Sequence, residues 1–197
     1  MEFFVNGDKI DITLEGERTA GDVLMGMERA CAAEGAAVTG VHIDGKRISA
    51  GELEAEAARP LEGISSIGVT TISAGDIKEA ARKLAVDLDD LVRTVPEIPA
   101  QLQGGKKREA YKTIESLTAA IDTVCVILPW LPRFPGRFPP FNLGGKTPEE
   151  FFNGFTSVLS AMCTALQDND IVMLGDVAEY EVCPALSTLA SAVKELL

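Results

Sequence analysis

The sequence predicts an α+β protein in which an N-terminal unit of order ββαββ precedes an all-α antiparallel helical bundle. Two observations predict this division. Residues 1–73 contain short runs of alternating apolar and polar side chains between turn dipeptides, which is the pattern of half-buried strands. From residue 74 onward, apolar side chains recur every three or four residues, as in amphipathic helices. We therefore expect two domains, 1–73 and 74–197.

The N-terminal unit opens with a hairpin signal. Two apolar runs flank Asn6-Gly7, a dipeptide that accepts the positive φ angles of a two-residue turn. Thr19 then provides the N-cap of an amphipathic helix, and Gly35 ends it. A second hairpin signal stands at Asp44-Gly45. After a short helical stretch, the β-branched run 64–72 predicts the last strand.

This order, β-β-α-β-β-(short helix)-β within Glu2–Ser73, resembles the β-grasp or ubiquitin-like fold. The resemblance implies a binding module whose sheet face or edge docks a partner. Ubiquitin-like modifiers and bacterial sulfur carriers end in a free Gly-Gly tail. Here the last strand continues into more protein, so conjugation and sulfur transfer are not expected.

The helical region begins with one long helix that carries an a/d seam. Six apolar side chains follow spacings of four, three, four, three and four: Ile77, Ala81, Leu84, Leu88, Leu91 and Val95. Such a seam packs along its length against another helix. Four of its side chains, Ile77, Leu84, Leu88 and Leu91, are also candidates for self-association as a homodimer.

Four further helical runs follow. One stripe joins Tyr111, Ile114, Leu117, Ile121, Val124 and Leu128. Thr147, with proline next and glutamate three residues on, is a strong helix start. A further apolar run spans 171–182, and a short helix is expected after Pro184. Four to five helices joined mostly by short loops suit an antiparallel bundle.

The long connection 129–146 contains the stretch WLPRFPGRFPP. Its candidate partner-binding residues are Trp130, Arg133, Phe134, Arg137, Phe138 and Phe141. Two interpretations stay open. In the first, the aromatic side chains plug the end of the bundle. In the second, a stiff polyproline-like segment presents aromatic anchors and arginines to a protein partner.

The charge and hydropathy of the chain argue against several partners. Thirty acidic and eighteen basic residues give a net charge of −12, which repels phosphate backbones and anionic lipid. No apolar run approaches the roughly 18 residues of a membrane-spanning helix. The amino end has no signal-peptide pattern. We therefore expect a cytoplasmic, bacterial-type protein with no nucleic-acid and no membrane partner.

The cysteines and the single histidine suggest no chemistry. The cysteines have no C-x-x-C spacing, and Cys31, Cys125 and Cys163 fall on predicted apolar helix faces, so all four are expected to be small buried hydrophobes. His42 falls in a predicted strand, where it is expected to be solvated. We expect no metal site and no cofactor.

A cluster of carboxylates lies between residues 168 and 181. Asp176 and Glu179 share a helix face there, as an acid/base or metal-binding pair would, but no histidine is near and a solvated face is the simpler interpretation. The overlapping stretch GDVAEYEVCPAL resembles the E-Y-E-L-x-P stretch of some uncharacterised bacterial proteins. That resemblance implies no activity.

These observations favour a non-enzymatic interaction or adaptor protein that docks a protein partner through segment 129–146 or through the sheet edge. Two alternatives remain. A secretion or flagellar export chaperone would carry a long open apolar groove. A small-molecule enzyme using Asp176 and Glu179 would have a closed pocket with convergent polar groups.

Overall fold

The computed structural model describes residues 1–197 and forms two compact units, Met1–Asp76 and Ile77–Leu197. The first unit holds a mixed five-stranded sheet and two helices, and the second is mostly helical. The α+β fold class predicted from the sequence is confirmed.

The strands and helices of the first unit follow the predicted order. They are β1 (Glu2–Val5), β2 (Asp8–Ile10), α1 (Ala20–Ala33), β3 (Ala36–Ile43), β4 (Lys46–Ile48), α2 (Leu53–Ala57) and β5 (Ser66–Ser73). The sheet order is β2-β1-β5-β3-β4, and β1 and β5 are parallel while the other pairs are antiparallel.

Local signals in the sequence place these elements correctly. Asn6 and Gly7 both have positive φ, at 53° and 90°, as the two-residue turn between β1 and β2 requires. The Thr19 hydroxyl accepts a hydrogen bond from the Asp22 backbone, and the Asp22 carboxylate accepts one from the Thr19 backbone. This capping box satisfies two amide groups at the start of α1.

One face of the sheet packs against α1. The core between them contains Phe3, Val23, Met27, Ile43, Ile67 and Val69. Gly21 allows close packing of α1 against α2, because a Cβ atom at this position would lie 3.0 Å from the Ala57 carbonyl oxygen. His42 lies on the other face of the sheet, half-buried, where it is paired in register with Gly68.

The helical unit contains six α-helices, with α3 starting just before it. They are α3 (Ala74–Thr94), α4 (Ile98–Gln103), α5 (Lys107–Ile127), α6 (Pro148–Gln167), α7 (Ile171–Val177) and α8 (Cys183–Lys194). The predicted seam is buried from Ile77 to Leu91 on α3 and also at Val95, which lies in the 3₁₀ helix that follows α3. The stripe predicted on α5 is only partly buried: Leu117 and Val124 are in the core, but Tyr111 is 57% exposed.

A π-helical turn joins α7 to α8 at Ala178–Val182. Pro184 lacks the backbone N–H that would bond to the Tyr180 carbonyl in a regular α-helix. The Cys183 N–H instead donates to Ala178, five residues back, which is the hydrogen bond that defines a π turn. The apolar run 171–182 is therefore divided between a helix and a π turn.

By length and composition, one segment of the helical unit could cross a membrane. It spans Lys107–Arg133, and 28% of its most apolar window is buried. The sequence expectation that no segment reaches this length was wrong. Core helices of soluble proteins pass the same test, so one such segment does not assign the chain to a membrane.

Candidate partner-binding site

The Pro/aromatic segment after α5 is folded into turns. A 3₁₀ helix spans Leu128–Arg133, and two successive turns close with hydrogen bonds from the Phe134 N–H to Leu131 and from the Arg137 N–H to Phe134. Gly136 has a φ of 73°, which suits a residue without a side chain. The extended, polyproline-like form, which was one of the two interpretations of the sequence, is therefore wrong for this part of the segment.

The aromatic side chains of the segment divide between core and surface. Phe134 is 7% exposed, and its ring meets that of Phe138 edge to face, with centroids 6.3 Å apart. Trp130, Phe138 and Phe141 are half-buried. Phe134 is therefore buried, as the plug interpretation requires, whereas the other three rings keep a face toward solvent.

An open apolar groove of about 510 Å³ lies along this segment, and we call it the aromatic groove. Its walls are the rings of Phe134, Phe138 and Phe141 together with five proline rings, Pro132, Pro135, Pro139, Pro140 and Pro148. Trp130 is adjacent in sequence but is not part of the wall. Proline and phenylalanine walls lose little side-chain entropy when a ligand binds.

The far end of the segment is held by Leu143 and by the start of α6. Leu143 is buried, and the Thr147 backbone and hydroxyl both donate to the Glu150 carboxylate. These hydrogen bonds, the backbone bond first, hold the pKa of Glu150 below its usual range. The capping box predicted at Thr147 is present and fixes where the segment ends.

Two arginines lie in the same segment, each next in sequence to residues of the groove wall, although neither is part of the wall. Arg133 and Arg137 are exposed, and every salt bridge in the chain involves other residues. Two free cations therefore alternate in sequence with residues of the apolar wall.

The predicted self-association seam is not on the surface. Ile77, Leu84, Leu88 and Leu91 are each at most 2% exposed and pack inside the helical unit. A side chain buried within one copy offers no area to a second copy. The a/d spacing of α3 therefore reflects packing within the chain.

The carboxylates between residues 168 and 181 are exposed and do not converge on a site. Asp170 is the N-cap of α7, where its side chain accepts a hydrogen bond from the Met173 N–H at 3.0 Å. Asp176 and Glu179 lie at the junction of α7 and the π turn. No group of three or more His, Cys, Asp or Glu side chains is placed to hold a metal ion.

The cysteines are less buried than the sequence predicted. Cys125 and Cys163 are exposed, because the apolar faces of α5 and α6 that meet the core do not include them. Cys31 and Cys183 are half-buried, and burial raises the pKa of both thiols. All four are free thiols.

A second apolar opening lies in the first unit, between α1 and the β2 edge of the sheet, and we call it the edge cleft. It has a volume of about 360 Å³ and is lined mainly by Val5, Ile10, Ile12, Leu14, Val23 and Met27, with Gly26 in its wall. A Cβ atom on Gly26 would meet nothing within 4 Å. This cleft was not predicted from the sequence. The one feature that could have indicated it is Gly26, a glycine in the middle of a helix.

We expect Gly26→Ala to raise the free energy of unfolding by about 0.5–1 kcal/mol, since glycine costs this much in a helix interior and the added methyl group meets no neighbour. Urea unfolding followed by circular dichroism measures the change. Gly21→Ala on the same helix is the control and should not stabilise, because its methyl group would press on Ala57. Equal gains at both positions would contradict this packing.

Comparison with known proteins gives two family matches. The model described as TP0873 N-terminal domain matches residues 1–73, and the model described as Domain of unknown function (DUF8042) matches residues 79–192. An uncharacterized protein of Treponema pallidum (strain Nichols) is 26% identical over 195 residues, which covers 98% of this chain and 96% of the relative. No solved structure matches the chain.

Proposed function

The chain belongs to the family of the Domain of unknown function (DUF8042), and we propose that it is a non-enzymatic docking protein that binds an acidic, apolar segment of a partner protein in the aromatic groove. The observation that carries this proposal is the pairing of an open apolar wall with two unpaired arginines. The proposed ligand is a short stretch of chain in which apolar side chains are flanked by glutamate or aspartate.

The wall of the groove supports an apolar ligand. Aromatic and proline rings leave a large apolar area in contact with water, and covering that area is favourable at about 25 cal/mol per Å². The volume of about 510 Å³ lies within the range of pockets that hold small ligands or a few side chains. Because turn hydrogen bonds order the backbone, little ordering is needed on binding.

The charges beside the groove support an acidic ligand. Arg133 and Arg137 have no carboxylate partner within the chain, so a ligand carboxylate would not displace an existing ion pair. The net charge of −12 repels such a ligand at long range, but salt screens this field within about 8 Å. Local pairing with the two guanidinium groups then dominates at contact.

We expect a fluorescent peptide with a Leu-Phe pair flanked by glutamates to bind, and the double variant Arg133→Glu/Arg137→Glu to weaken binding by about tenfold or more. Each exposed ion pair contributes up to about 1 kcal/mol, and reversal replaces attraction by repulsion. Fluorescence anisotropy measures the affinity. The emission of Trp130, the single tryptophan, gives a second, label-free signal.

The matched control is Lys106→Glu/Arg108→Glu, which changes the net charge equally at two exposed cations before and at the start of α5. It should leave the affinity within about twofold, and a lysine-flanked peptide should not bind. Equal weakening by both double variants would mean that only the overall charge matters. That result, or failure of the glutamate-flanked peptide to bind wild type, would reject the aromatic groove as the docking site.

We also propose that Met1–Asp76 is a β-grasp-like module. What supports this is the strand order β2-β1-β5-β3-β4 with its parallel central pair β1 and β5, and α1 packed on one face. The edge cleft is a second docking surface of the proposed protein. It adjoins β2, whose outward backbone groups have no neighbouring strand, so a partner strand there could insert an apolar side chain beside Gly26.

A further inference from the structure

A groove of about 590 Å³ lies between α3 and α5 in the helical unit, and we call it the helix groove. Its floor includes Leu84, Leu91 and Ala120, which are buried. Its α5 wall consists of the small side chains Thr113, Ser116, Ala119 and Thr123. Its outer parts are charged side chains from both helices.

The α5 wall of the helix groove is shaped for a helix. Its residues recur at spacings of three and four, so they lie on one side of α5. Small side chains allow the axis of a second helix to approach to about 8 Å, the close limit for packed helices. A pocket for a side chain or a compact metabolite would instead need bulky closing walls, which α5 does not provide.

The exposure of α5 is an independent observation. The segment Lys107–Arg133, most of which is α5, is long and apolar enough to cross a membrane. Only 28% of its most apolar stretch is buried within the protein. Val126, three residues after Thr123, is 61% exposed. An apolar helix with so much uncovered surface lowers its free energy when another apolar surface covers it.

The charges at the rim are of both signs, and four of them are unpaired. Lys83 and Asp87 stand four residues apart on α3, and Glu109 and Lys112 stand three apart on α5. Both spacings allow ion pairs within the helix, yet none of these four residues forms a salt bridge. With Asp90, which pairs with Arg93, α3 contributes one cation and two anions to the rim, and α5 contributes one of each. Both helices thus carry both signs of charge, so opposite charges can meet when a second copy of this rim lies against it.

We propose that a second copy of this chain covers the helix groove, with α5 of each copy lying against the helix groove of the other across a two-fold axis. The helix groove best fits an apolar helix that has small side chains on one side and charged side chains of both signs beside them. The helix α5 has these features. A two-fold axis brings the same surface of both copies together. The helix α5 can therefore form the wall of one groove and also cover the groove of the other copy. The inference does not depend on the aromatic groove.

A lipid surface is the other class of partner that an exposed apolar helix could meet, and the residues of α5 disfavour it. Asp122 is exposed near the centre of the apolar half of α5, and Glu115 is exposed about two turns before Thr123, the last of the small side chains. A carboxylate is costly inside a bilayer. Between two protein surfaces, both side chains can stay at the solvated rim.

Sedimentation velocity of the full chain tests the proposal. We expect wild type to sediment at twice the 20.9 kDa chain mass and Ala119→Arg to sediment as a monomer, because the arginine would fill the space between the two helices. Thr118→Arg is the matched control and should stay dimeric, since residue 118 is exposed but lies away from the groove wall. The measurement is made at about 0.15 M and about 0.5 M salt, because the higher concentration screens the repulsion between two chains of charge −12.

Cysteine crosslinking locates the interface without changing its charge. Under mild oxidation, Ser116→Cys/Cys125→Ser should form a covalent dimer, whereas native Cys125, two residues beyond Thr123 and so on another side of α5, should not. A monomeric wild type at both salt concentrations would overturn the proposal, as would a dimer unaffected by Ala119→Arg. Flotation of wild type with anionic vesicles, lost in Ala119→Arg, would assign the surface to lipid instead.

Discussion

Phe134→Ala is expected to lower the free energy of unfolding by about 3 kcal/mol, near the lower end of the range for buried phenylalanine. The ring is 7% exposed and packs on Phe138, but one side of it forms the wall of the open aromatic groove. The surroundings can therefore relax toward the groove and reduce the cost of the cavity. Urea unfolding followed by circular dichroism measures the change.

Phe138→Ala is the matched comparison, because this ring is half-buried and lies in the same groove. Phe138→Ala should lower the free energy of unfolding clearly less than Phe134→Ala does. For each kcal/mol of stability lost, it should weaken binding of the glutamate-flanked peptide more. If both truncations cost less than about 0.5 kcal/mol, as surface substitutions do, the segment is not part of the core. The plug interpretation of Phe134 would then fail.

The parts of the fold that could be predicted from sequence are those with local causes. Asn6 and Gly7 specify their turn because few other residues accept two successive positive φ angles. Thr19 and Thr147 specify helix starts because the capping hydrogen bonds join residues three apart. Neither signal depends on what the rest of the chain does.

The parts that could not be predicted depend on which side of an element meets a neighbour. Tyr111 and Cys125 lie on apolar stretches of α5, but the core takes Ala110, Leu117 and Val124 instead. A 3.6-residue period predicts that a helix has an apolar stripe. Which residues at the border of that stripe are buried depends on how the helix packs against its neighbours. Tyr111 and Cys125 are therefore exposed, against the sequence expectation.

The candidate surfaces were predictable to different degrees. Prolines and aromatic residues close together in sequence identified the segment of the aromatic groove, although not its folded turns. The edge cleft and the helix groove are spaces between separate elements, β2 and α1 in the first case and α3 and α5 in the second, so no local sequence pattern marks them. Their lining residues look like ordinary helix and strand residues, and Gly26 alone departs from that pattern.

Leu88→Ala is expected to lower the free energy of unfolding by about 3–4 kcal/mol, within the range for leucine truncated in a close-packed core. Leu88 is fully buried on the seam of α3, so the substitution removes a side chain with neighbours on every side. Val86→Ala is the control on the same helix. Val86 is 69% exposed, and its truncation should change stability by less than about 0.5 kcal/mol.

The same variant decides whether the a/d seam acts within one chain or between two. If Leu88 lay between copies, its truncation would act by weakening the dimer, and the loss would vanish in a chain that is already monomeric. Because Leu88 is buried within one copy, we expect the full loss also in the Ala119→Arg background, independent of protein concentration. A loss confined to the dimeric background would return the seam of α3 to the role in self-association that its spacing first suggested.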